Sequence, residues 1–277
     1  MIKSYCKINL SLNIIKKLKS GFHDIQSNNF LLNIYDEIEI KKNSKKDTFS
    51  FTGKFSKYID RSNNSVIKTF KFLRDKRIIK RNEHYNISIK KKIPVFSGLG
   101  GGTSNAFYIA KYFLKSKLMK YVGSLEKSVG SDLKLFLHKQ SFQQNLGNIK
   151  KYKFFFKYHI IVLYPNIKCS TKFIYSKVKN FNNPTHIKFS NISSKNKFLS
   201  LIKKEQNDLE EIVTNKHTII RRVCNFISIQ KGCHFARVTG SGSAVFGIFK
   251  SKKLAILGLK NIKKKFSKKW CVITKTI

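Results

Sequence analysis

A glycine-rich stretch followed by two hydroxyl residues, Gly98-Leu-Gly-Gly-Gly-Thr-Ser104, could hold phosphate groups. It contains four of the 14 glycines in the chain. Where Cβ atoms are absent, backbone N–H groups can approach phosphate oxygens closely and surround them. The hydroxyls of Thr103 and Ser104 can bond to phosphate, and Ser104 is in addition a candidate Mg²⁺ ligand. The stretch therefore predicts a site for the phosphates of a nucleotide.

Two common nucleotide loops do not fit this stretch. No lysine follows the glycines, as the Gly-x4-Gly-Lys-Ser/Thr loop requires, and the spacing differs from that of Gly-x-Gly-x-x-Gly. A merely flexible loop is the alternative interpretation. We favour a phosphate-binding loop because Pro94 closely precedes the glycines and because an amphipathic helix is predicted to follow them.

One carboxylate, Asp132, is a candidate general base. It is the only Asp or Glu between Glu126 and Glu205, and the apolar stretch Leu-Lys-Leu-Phe-Leu follows it. A carboxylate in such surroundings is partly desolvated, which is costly unless a cation or hydrogen bonds compensate. The alternative interpretation is a helix cap that follows Gly130-Ser131.

A strand is predicted to position two further polar groups near the start of the chain. Apolar residues occupy every second position from Ile8 to Ile14 and alternate with polar ones, which is typical of a half-buried strand. Side chains two residues apart on a strand point to the same face. Lys7 and Asn9 are therefore expected to share the face opposite the apolar residues.

A helix is predicted to follow the glycines. Thr103-Ser104-Asn105 offers three residues of the types that cap helix N-termini. Apolar residues then recur at helical spacing, at Ala106, Ala110, Phe113, Leu114 and Leu118. The glycines would thus join an extended segment to a helix N-terminus, whose unpaired N–H groups and dipole attract anions.

Strand patterns and helix patterns alternate along the rest of the chain. Strand-like segments cover residues 29–40, 85–89, 151–165 and 270–276, and helical segments cover 201–224 and 254–266. Residues 235–249 are predicted to form a strand, a Gly-Ser-Gly-Ser turn and a second strand. Residues 178–204 are rich in Lys, Asn and Ser and are predicted to form a loop or a variable insertion. The alternation predicts a mixed αβ chain with a domain boundary near residues 145–155.

The chain carries 57 Lys and Arg against 14 Asp and Glu, a formal net charge of +43. Such a charge suggests nucleic-acid binding, but a nucleic-acid binder is expected to cluster its charge on one element or face. Here the lysines are spread along the chain together with abundant Asn and Ile, as in the products of AT-rich genomes. We therefore expect the positive surface to attract anionic ligands such as nucleotides instead.

Other classes of protein are excluded by composition. No apolar run reaches the roughly 18–20 residues of a membrane helix, and no signal peptide is visible at the start of the chain. The five cysteines are scattered, never in Cys-x-x-Cys, so neither a disulfide framework nor an all-cysteine zinc site is expected. The seven histidines show no metal-ligand spacing. This cysteine usage fits a cytoplasmic protein.

Taken together, these motifs resemble those of the GHMP kinases. Pro94-x3-Gly-Leu-Gly-Gly-Gly-Thr-Ser-Asn-Ala resembles their ATP loop, and its three consecutive glycines are most similar to the members that phosphorylate 4-diphosphocytidyl-2-C-methyl-D-erythritol. Further motifs of those members are matched in order, at Lys7-Ile-Asn-Leu-Ser-Leu, Gly21-Phe-His-Asp-Ile-Gln26, Gly130-Ser-Asp132, Pro165 with Ser170-Thr171 and Tyr175, Asn207-Asp208-Leu209, and Thr239–Phe246. The motifs are weak singly and specific together.

The resemblance implies an α+β, two-domain GHMP kinase fold with the active site in the cleft between the domains. Residues 1–150 would form an ATP-binding N-terminal domain like domain 2 of ribosomal protein S5, and residues 151–277 a ferredoxin-like C-terminal domain. The implied reaction is ATP-dependent phosphorylation of the 2-hydroxyl of 4-diphosphocytidyl-2-C-methyl-D-erythritol, in the methylerythritol phosphate route to isoprenoids. ATP, Mg²⁺ and this small molecule would be the ligands of a monomer or homodimer that binds neither nucleic acid nor membrane.

The resemblance also implies roles for individual residues. Asp132 would accept the proton of the substrate hydroxyl, and Lys7 would be its electrostatic partner. The implied ATP-binding residues are Pro94, Val95, Phe96, Ser97, Gly98, Leu99, Gly100, Gly101, Gly102, Thr103 and Ser104. The implied substrate-binding residues are Asn9, Phe22, His23, Tyr175, Gly240 and Ser241. Among these, Phe22 and Tyr175 would stack on the cytosine, and His23 would hydrogen-bond to it.

The chain departs from the family pattern at a few positions. Leu133-Lys134 replaces Val-Pro after the catalytic aspartate, which could alter the backbone there and adds a positive charge. Phe22 replaces a tyrosine and so lacks its hydroxyl, and Gly147-Asn-Ile-Lys is a weak match to a Gly-x-Gly-Glu-like segment. Two alternatives stay open, a homoserine-type or mevalonate-type GHMP kinase and, further away, a basic nucleic-acid-binding protein.

Overall fold

The computed structural model describes all 277 residues, which form two compact units. Each unit is assembled from segments that are separate in sequence. The first comprises Met1–Cys6, Ile34–Val95 and Gly100–Leu137, and the second comprises Lys7–Asn33, Phe96–Leu99 and His138–Ile277. The glycine-rich stretch therefore contributes its first half to the second unit and its second half to the first unit.

Strands and helices interleave, as predicted. The ten strands are β1 (Ile2–Lys17), β2 (His23–Asn43), β3 (Thr48–Thr52), β4 (His84–Lys90), β5 (Gln140–Gln143), β6 (Ile149–Lys151), β7 (His159–Tyr164), β8 (Cys233–Val238), β9 (Val245–Phe249) and β10 (Trp270–Lys275). The eight α-helices are α1 (Ser65–Asp75), α2 (Gly101–Leu114), α3 (Leu118–Val129), α4 (Thr171–Ser176), α5 (Lys195–Lys204), α6 (Glu210–Lys216), α7 (Thr218–Ser228) and α8 (Lys252–Lys265). No helix among these has the length and apolar character needed to span a bilayer.

In the first unit, helices pack against strands of a six-stranded sheet. β3 pairs with β4 in parallel, and β4 pairs in antiparallel fashion with the second half of β2. Helices α1, α2 and α3 contact one another. Edge-to-face aromatic contacts join the sheet to the helices, since the ring of Phe113 in α2 lies 4.9 Å from that of Tyr85 in β4 and 5.9 Å from that of Phe70 in α1.

In the second unit, four antiparallel strands carry helices α7 and α8. The strand order is β10-β7-β9-β8. α7 contacts β8 and β9, and α8 contacts β10 and β7. The first half of β2 belongs to this unit as well, and it pairs with β5, with Ser27 opposite Gln143. The predicted strand–turn–strand over residues 235–249 is confirmed, with β8 and β9 paired in antiparallel fashion.

The prediction of a half-buried first strand is wrong, because β1 is buried on both faces. Every residue from Cys6 to Ile14 is buried, including the polar ones. Hydrogen bonds compensate most of the burial of the two amides: Asn9 Nδ2 donates to Ser27 Oγ at 2.8 Å, and Asn13 Nδ2 donates to Glu205 Oε2 at 2.8 Å, whereas Asn13 Oδ1 has no hydrogen-bond partner. The alternation of apolar and polar residues correctly indicated that β1 has one apolar and one polar face, but both faces are buried.

The predicted capping of α2 is also wrong. The helix begins at Gly101, so Thr103-Ser104-Asn105 lies inside it, and the N-cap is Gly100 with no side-chain hydrogen bond. Gly100 adopts a left-handed φ of +69°, a turn that favours glycine and lets the helix start early. The helix ends at Leu114, and Leu118 belongs to α3.

Two segments of the second unit differ in part from the predictions. Residues 152–158 are not a strand, and the predicted strand over 151–165 is reduced to Lys151 and to β7. Residues 178–204 were predicted to be a loop or insertion, but their last third forms α5, an amphipathic helix whose Phe198 and Ile202 are buried. The many lysines on the exposed face of α5 made the segment look like a polar loop, so the helical spacing of its apolar residues was not recognised.

Candidate active site

The first half of the glycine-rich stretch rests on a distant turn within the second unit. The backbone N–H of Ala244 donates to Ser97 O at 2.9 Å. Gly98 has a φ of +78°, and a Cβ atom there would lie 2.2 Å from the carbonyl oxygen of Thr239. Two backbones thus meet at a distance that only glycine permits. The turn of residues 239–244, which the resemblance had linked to the substrate, is therefore also the support of the loop.

We expect Gly98→Ala to weaken ATP binding. A Cβ at this position would clash with Thr239 O, and a left-handed φ costs a non-glycine residue about 1–2 kcal/mol. The loop must then move, and the KM for ATP is expected to rise by about tenfold or more, since small misplacements weaken positioning strongly. Steady-state kinetics with varied ATP measures this.

Gly123→Ala is the matched control for that substitution. Gly123 lies in α3, where an added Cβ meets nothing within 4 Å. This alanine is expected to leave the KM for ATP unchanged and to stabilise the helix by about 0.5–1 kcal/mol. Equal KM values for the two alanine variants would contradict the requirement for glycine at position 98.

The second half of the stretch begins α2 in the first unit. A Cβ on Gly101 would lie 2.9 Å from Ile93 Cγ2, so the start of the helix packs closely on the segment that enters the loop. Gly102 is exposed and Thr103 is half-buried. Because no side chain caps this helix, the N–H groups of its first turn can bind an anion.

Ser104 is turned into the first unit. Its side chain is fully buried, its hydroxyl donates to Tyr5 O at 2.6 Å, and its Oγ lies 2.7 Å from Ser4 Oγ. These contacts fix the first turn of α2 to β1. The role of Ser104 as a Mg²⁺ ligand stays a prediction, and it requires a lone pair of this buried hydroxyl to become accessible to the ion.

Lys7 and Asn9 lie beside the loop and its supporting turn, within the second unit. Lys7 is only 4% exposed, and its Nζ donates to Asn9 Oδ1 at 2.6 Å, which confirms that the two side chains share a face. The backbone N–H of Lys7 donates to Leu99 O at 3.0 Å. A Cβ on Gly240 would lie 3.1 Å from Asn9 Oδ1 and 3.6 Å from Lys7 Nζ. A buried ammonium group in this position can stabilise negative charge on a phosphoryl group.

The motif Asn207-Asp208 was matched in the sequence without a role, and the structure supplies one. Asn207 Nδ2 donates to Val238 O at 2.9 Å and to Gly240 O at 2.8 Å, so it holds the turn on which the loop rests. Asp208 Oδ2 accepts a hydrogen bond from the N–H of Ile14 at 2.6 Å. Ser241 Oγ lies 2.9 Å from Thr171 Oγ1 on the other side of the turn.

Asp132 lies in the first unit, between two helical segments. α3 ends before Gly130, whose φ is +140°, and a 3₁₀ helix covers Leu133–Leu137. Asp132 is half-buried, and Leu133, Leu135 and Phe136 are buried after it, as the apolar stretch predicted.

The unusual lysine after Asp132 has its own counterion. Lys134 Nζ lies 2.7 Å from Glu126 Oε2 in α3. Both side chains are mostly buried, so the pair is partly shielded from solvent. The positive charge that Lys134 adds beside the candidate base is therefore balanced within the first unit.

An aromatic cluster surrounds His23 in the second unit. The ring of His23 lies 5.2 Å from that of Tyr175 in α4 and 6.3 Å from that of Phe181, with interplanar angles of 37° and 29°. Phe22, next in the chain, is 57% exposed. Aromatic rings grouped in this way can contact a planar heterocycle. Phe181 was not among the predicted site residues, although an aromatic residue in the Lys- and Asn-rich segment after Tyr175 was a usable signal.

The environment of His23 lowers its pKa. Burial is the main cause, and the positive charge of Lys17 adds to it. We expect Lys17→Met to raise the pKa of His23 towards its ordinary value, as measured by an NMR titration of the imidazole C–H signals. Lys16→Met, which changes a neighbouring exposed lysine, is the control and is expected to shift the pKa less. A larger shift in the control would contradict the assignment to Lys17.

The lowered pKa of His23 affects both its hydrogen bonding to a ligand and the pH dependence of stability. His23 stays neutral to lower pH than an ordinary histidine, and the neutral ring offers one donor and one acceptor. Its contribution to stability is complete above the unfolded pKa of about 6.5 and is lost as the pH falls from there, because the unfolded chain then binds the proton more readily.

Comparison with known proteins gives consistent matches. Residues 189–268 match the family described as GHMP kinases C terminal. The chain is 36% identical to a 4-diphosphocytidyl-2-C-methyl-D-erythritol kinase from Pelagibacter ubique (strain HTCC1062), over 100% of this chain and 98% of that relative.

Solved structures of the same kind are similar in fold. A 4-(cytidine 5'-diphospho)-2C-methyl-D-erythritol kinase matches with a TM-score of 0.75 at 18% identity, covering 99% of this chain and 98% of that one. A homoserine kinase from Cytophaga hutchinsonii matches with a TM-score of 0.67 at 15% identity, covering 100% and 96%. These likenesses confirm the mixed α/β GHMP kinase fold that the sequence predicted. Given in addition the full-length identity to the Pelagibacter relative, the chain belongs to the 4-diphosphocytidyl-2-C-methyl-D-erythritol kinase family of GHMP kinases.

Proposed function

We propose that this chain transfers the γ-phosphoryl group of ATP to the 2-hydroxyl of 4-diphosphocytidyl-2-C-methyl-D-erythritol, a step in the methylerythritol phosphate route to isoprenoids. Family membership supports the reaction. The observation that carries the proposal is the junction in the second unit where Lys7, Asn9, the glycine loop and the turn of residues 239–244 meet. A buried cation beside a phosphate-binding loop is what phosphoryl transfer requires.

The glycine loop would hold the nucleotide. Residues 94–104 would surround the ATP phosphates, and those after Pro94 would present backbone N–H groups to them, including the N–H groups of the uncapped first turn of α2. Phosphoryl transfer needs little covalent chemistry from the protein, so holding the γ-phosphoryl group in line with the hydroxyl supplies most of the rate enhancement. The surplus of positive charge on the chain adds electrostatic attraction for both anionic substrates.

Asp132 is proposed as the general base and Lys7 as the stabilising cation. The carboxylate of Asp132 takes the proton of the 2-hydroxyl while the oxygen of that hydroxyl forms a bond to the γ-phosphorus of ATP. The bond between the γ-phosphorus and the leaving oxygen of ADP breaks. The ammonium group of Lys7 stabilises the negative charge on the reacting oxygens. The proton ends on Asp132 and the products are ADP and the phosphorylated alcohol.

Recognition of the cytidine end is proposed for the aromatic cluster of the second unit. The rings of Phe22 and Tyr175 would stack on the base, and His23 would bond to its polar edge. Asn9, Gly240 and Ser241 would contact the rest of the substrate, since they lie around Lys7 and the turn.

Mg²⁺ is proposed as an ion that arrives with ATP. The chain has no group of three or more His, Cys, Asp or Glu side chains that could hold a metal ion. Mg²⁺ is usually bound through phosphates and only one or two protein oxygens, so a single hydroxyl beside the phosphate-binding loop would be enough to hold it. When bound, the ion neutralises phosphate charge, and Ser104 is the proposed protein ligand.

Three wider features of the enzyme are proposals as well. The five cysteines form no disulfide bonds, which supports the proposed cytoplasmic location. A monomer or homodimer is proposed, without binding to nucleic acid or membrane. We also propose that the chain has an ATP-binding domain over residues 1–150 and a second domain over 151–277.

The test is an ATP-consumption assay with Mg²⁺ on four alcohols: 4-diphosphocytidyl-2-C-methyl-D-erythritol, its non-cytidylated parent phosphate, homoserine and mevalonate. Turnover is expected on the cytidylated alcohol alone. Turnover on one of the others would keep the phosphoryl-transfer mechanism and overturn the cytidine pocket. ATP binding without turnover on any of them would overturn the proposed function.

A further inference from the structure

A buried ion pair lies under the glycine loop in the first unit. Asp36 in β2 is 0% exposed, Lys91 directly after β4 is 2% exposed, and Lys91 Nζ donates to Asp36 Oδ2. Lysine and aspartate are almost never fully buried unless they are paired. The reaction proposed above uses neither residue. Their burial therefore needs another explanation.

Hydrogen bonds from Asp36 hold the segment that enters the loop. Asp36 Oδ1 accepts from the N–H of Lys92 at 2.7 Å and from the N–H of Ile93 at 2.9 Å. Its other oxygen, Oδ2, accepts from Lys91 Nζ and from Asn105 Nδ2, the latter at 3.1 Å. The carboxylate thus accepts four hydrogen bonds, which is about its full capacity.

The same cluster holds the segment that leaves the loop. Asn105 lies in α2, and its Oδ1 accepts from Lys91 Nζ at 2.8 Å. Its Nδ2 donates also to Ser4 Oγ at 2.9 Å, and Ser4 Oγ lies 2.7 Å from Ser104 Oγ. A Cβ on Gly101 would lie 3.5 Å from Lys91 Nζ, so the ammonium group sits directly beneath the first residue of the helix.

The geometry points to Asp36, Lys91 and Asn105 as positioning residues for the ATP phosphates. They tie Lys92 and Ile93, before the loop, to the first turn of α2, after it, and so fix the ends of the phosphate-binding backbone. A buried ion pair rarely adds much net stability compared with an apolar pair, but it specifies one geometry. This inference rests on the proposed function in one respect only, that the loop binds ATP.

The experiment measures ATP binding to the full-length protein by calorimetry, without any alcohol. In Asp36→Asn the amide nitrogen replaces one of two accepting oxygens and faces hydrogen-bond donors in either orientation, so the cluster must rearrange. In Asn105→Ala the link to α2 is lost while the ion pair stays, so this variant keeps the test valid if Asp36→Asn does not fold. In both variants the Kd for ATP is expected to rise by about tenfold or more.

Two control variants separate positioning from a general loss of stability. Glu37→Gln removes the neighbouring, more exposed ion pair with Lys92, outside the cluster. Tyr152→Phe removes a buried hydrogen bond to Asn28 in the second unit, so it is expected to lower Tm. Both variants are expected to keep the Kd for ATP within about twofold of the wild-type value, since a twofold change in Kd is a small change in binding free energy.

Two results would overturn the inference. One is wild-type ATP affinity in folded Asp36→Asn and Asn105→Ala, even at a lowered Tm. The other is an equal loss of affinity in Tyr152→Phe. Steady-state kinetics add a further readout, because a positioning role raises the KM for ATP and leaves that for the alcohol unchanged. Failure of the wild type to phosphorylate the cytidylated alcohol, with these ATP affinities as expected, would count against the proposed function alone.

Discussion

Asp132→Asn is expected to lower kcat by about 10²–10⁴-fold, the usual contribution of a general base, while ATP and the alcohol still bind. Asparagine has nearly the same shape as aspartate but cannot accept the proton of the 2-hydroxyl. The half-buried site between Gly130 and the 3₁₀ helix can accommodate it without repacking. Single-turnover and steady-state kinetics, together with calorimetry for both ligands, measure the separate effects on chemistry and binding.

Glu126→Gln is the matched control for Asp132→Asn. It also neutralises a carboxylate of the first unit, but the one that is paired with Lys134. Its kcat is expected to stay within about threefold of wild type, because Glu126 pairs with Lys134 and takes no proton from the alcohol, although loss of this mostly buried pair is expected to lower Tm. Near-normal turnover in Asp132→Asn, or an equal loss in Glu126→Gln, would remove Asp132 from the role of base.

Lys7→Met is the second substitution with a large expected effect. The methionine side chain fills nearly the same buried volume but carries no charge, so the fold is expected to persist. Loss of one preorganised cation or donor at the transition state lowers kcat by about 10²–10³-fold. The KM for ATP is expected to change less, because the loop itself is supported by Thr239 and Ala244.

Lys16→Met supplies the comparison for Lys7→Met. It removes a lysine from the same strand at an exposed position. Steady-state kinetics and thermal unfolding of both variants separate charge at the site from the overall positive charge of the chain. If both variants lost kcat alike, the effect would belong to the general electrostatic field and not to Lys7.

Local patterns predicted much of the fold and part of the site. Alternation placed Lys7 and Asn9 on one face of a strand, and their side chains meet at 2.6 Å. Strand patterns located β4 and β10, and the helical spacing after the glycines located α2. These signals are local, since each depends on residues within a few positions of one another.

Features that depend on distant residues could not be predicted in this way. The need for glycine at position 98 comes from Thr239, far along the chain, and the early start of α2 comes from the left-handed turn at Gly100. Asp36 was missed, although it shares its strand face with Ile38 and could have been recognised as buried by that parity. Its partner Asn105 could not have been identified, because the residues around position 36 and those around position 105 carry no pattern that predicts a contact between them.

The support of the loop by a late turn has a consequence for synthesis on the ribosome. Gly98 is translated about 140 residues before Thr239, the residue against which it packs. At roughly 5–20 residues per second, the loop waits about 7–28 s for that partner. A nascent chain that ends before residue 239 therefore lacks the turn that supports the loop. Such a chain cannot be stabilised by binding of ATP. The ligand can stabilise the enzyme only after nearly the whole chain has emerged.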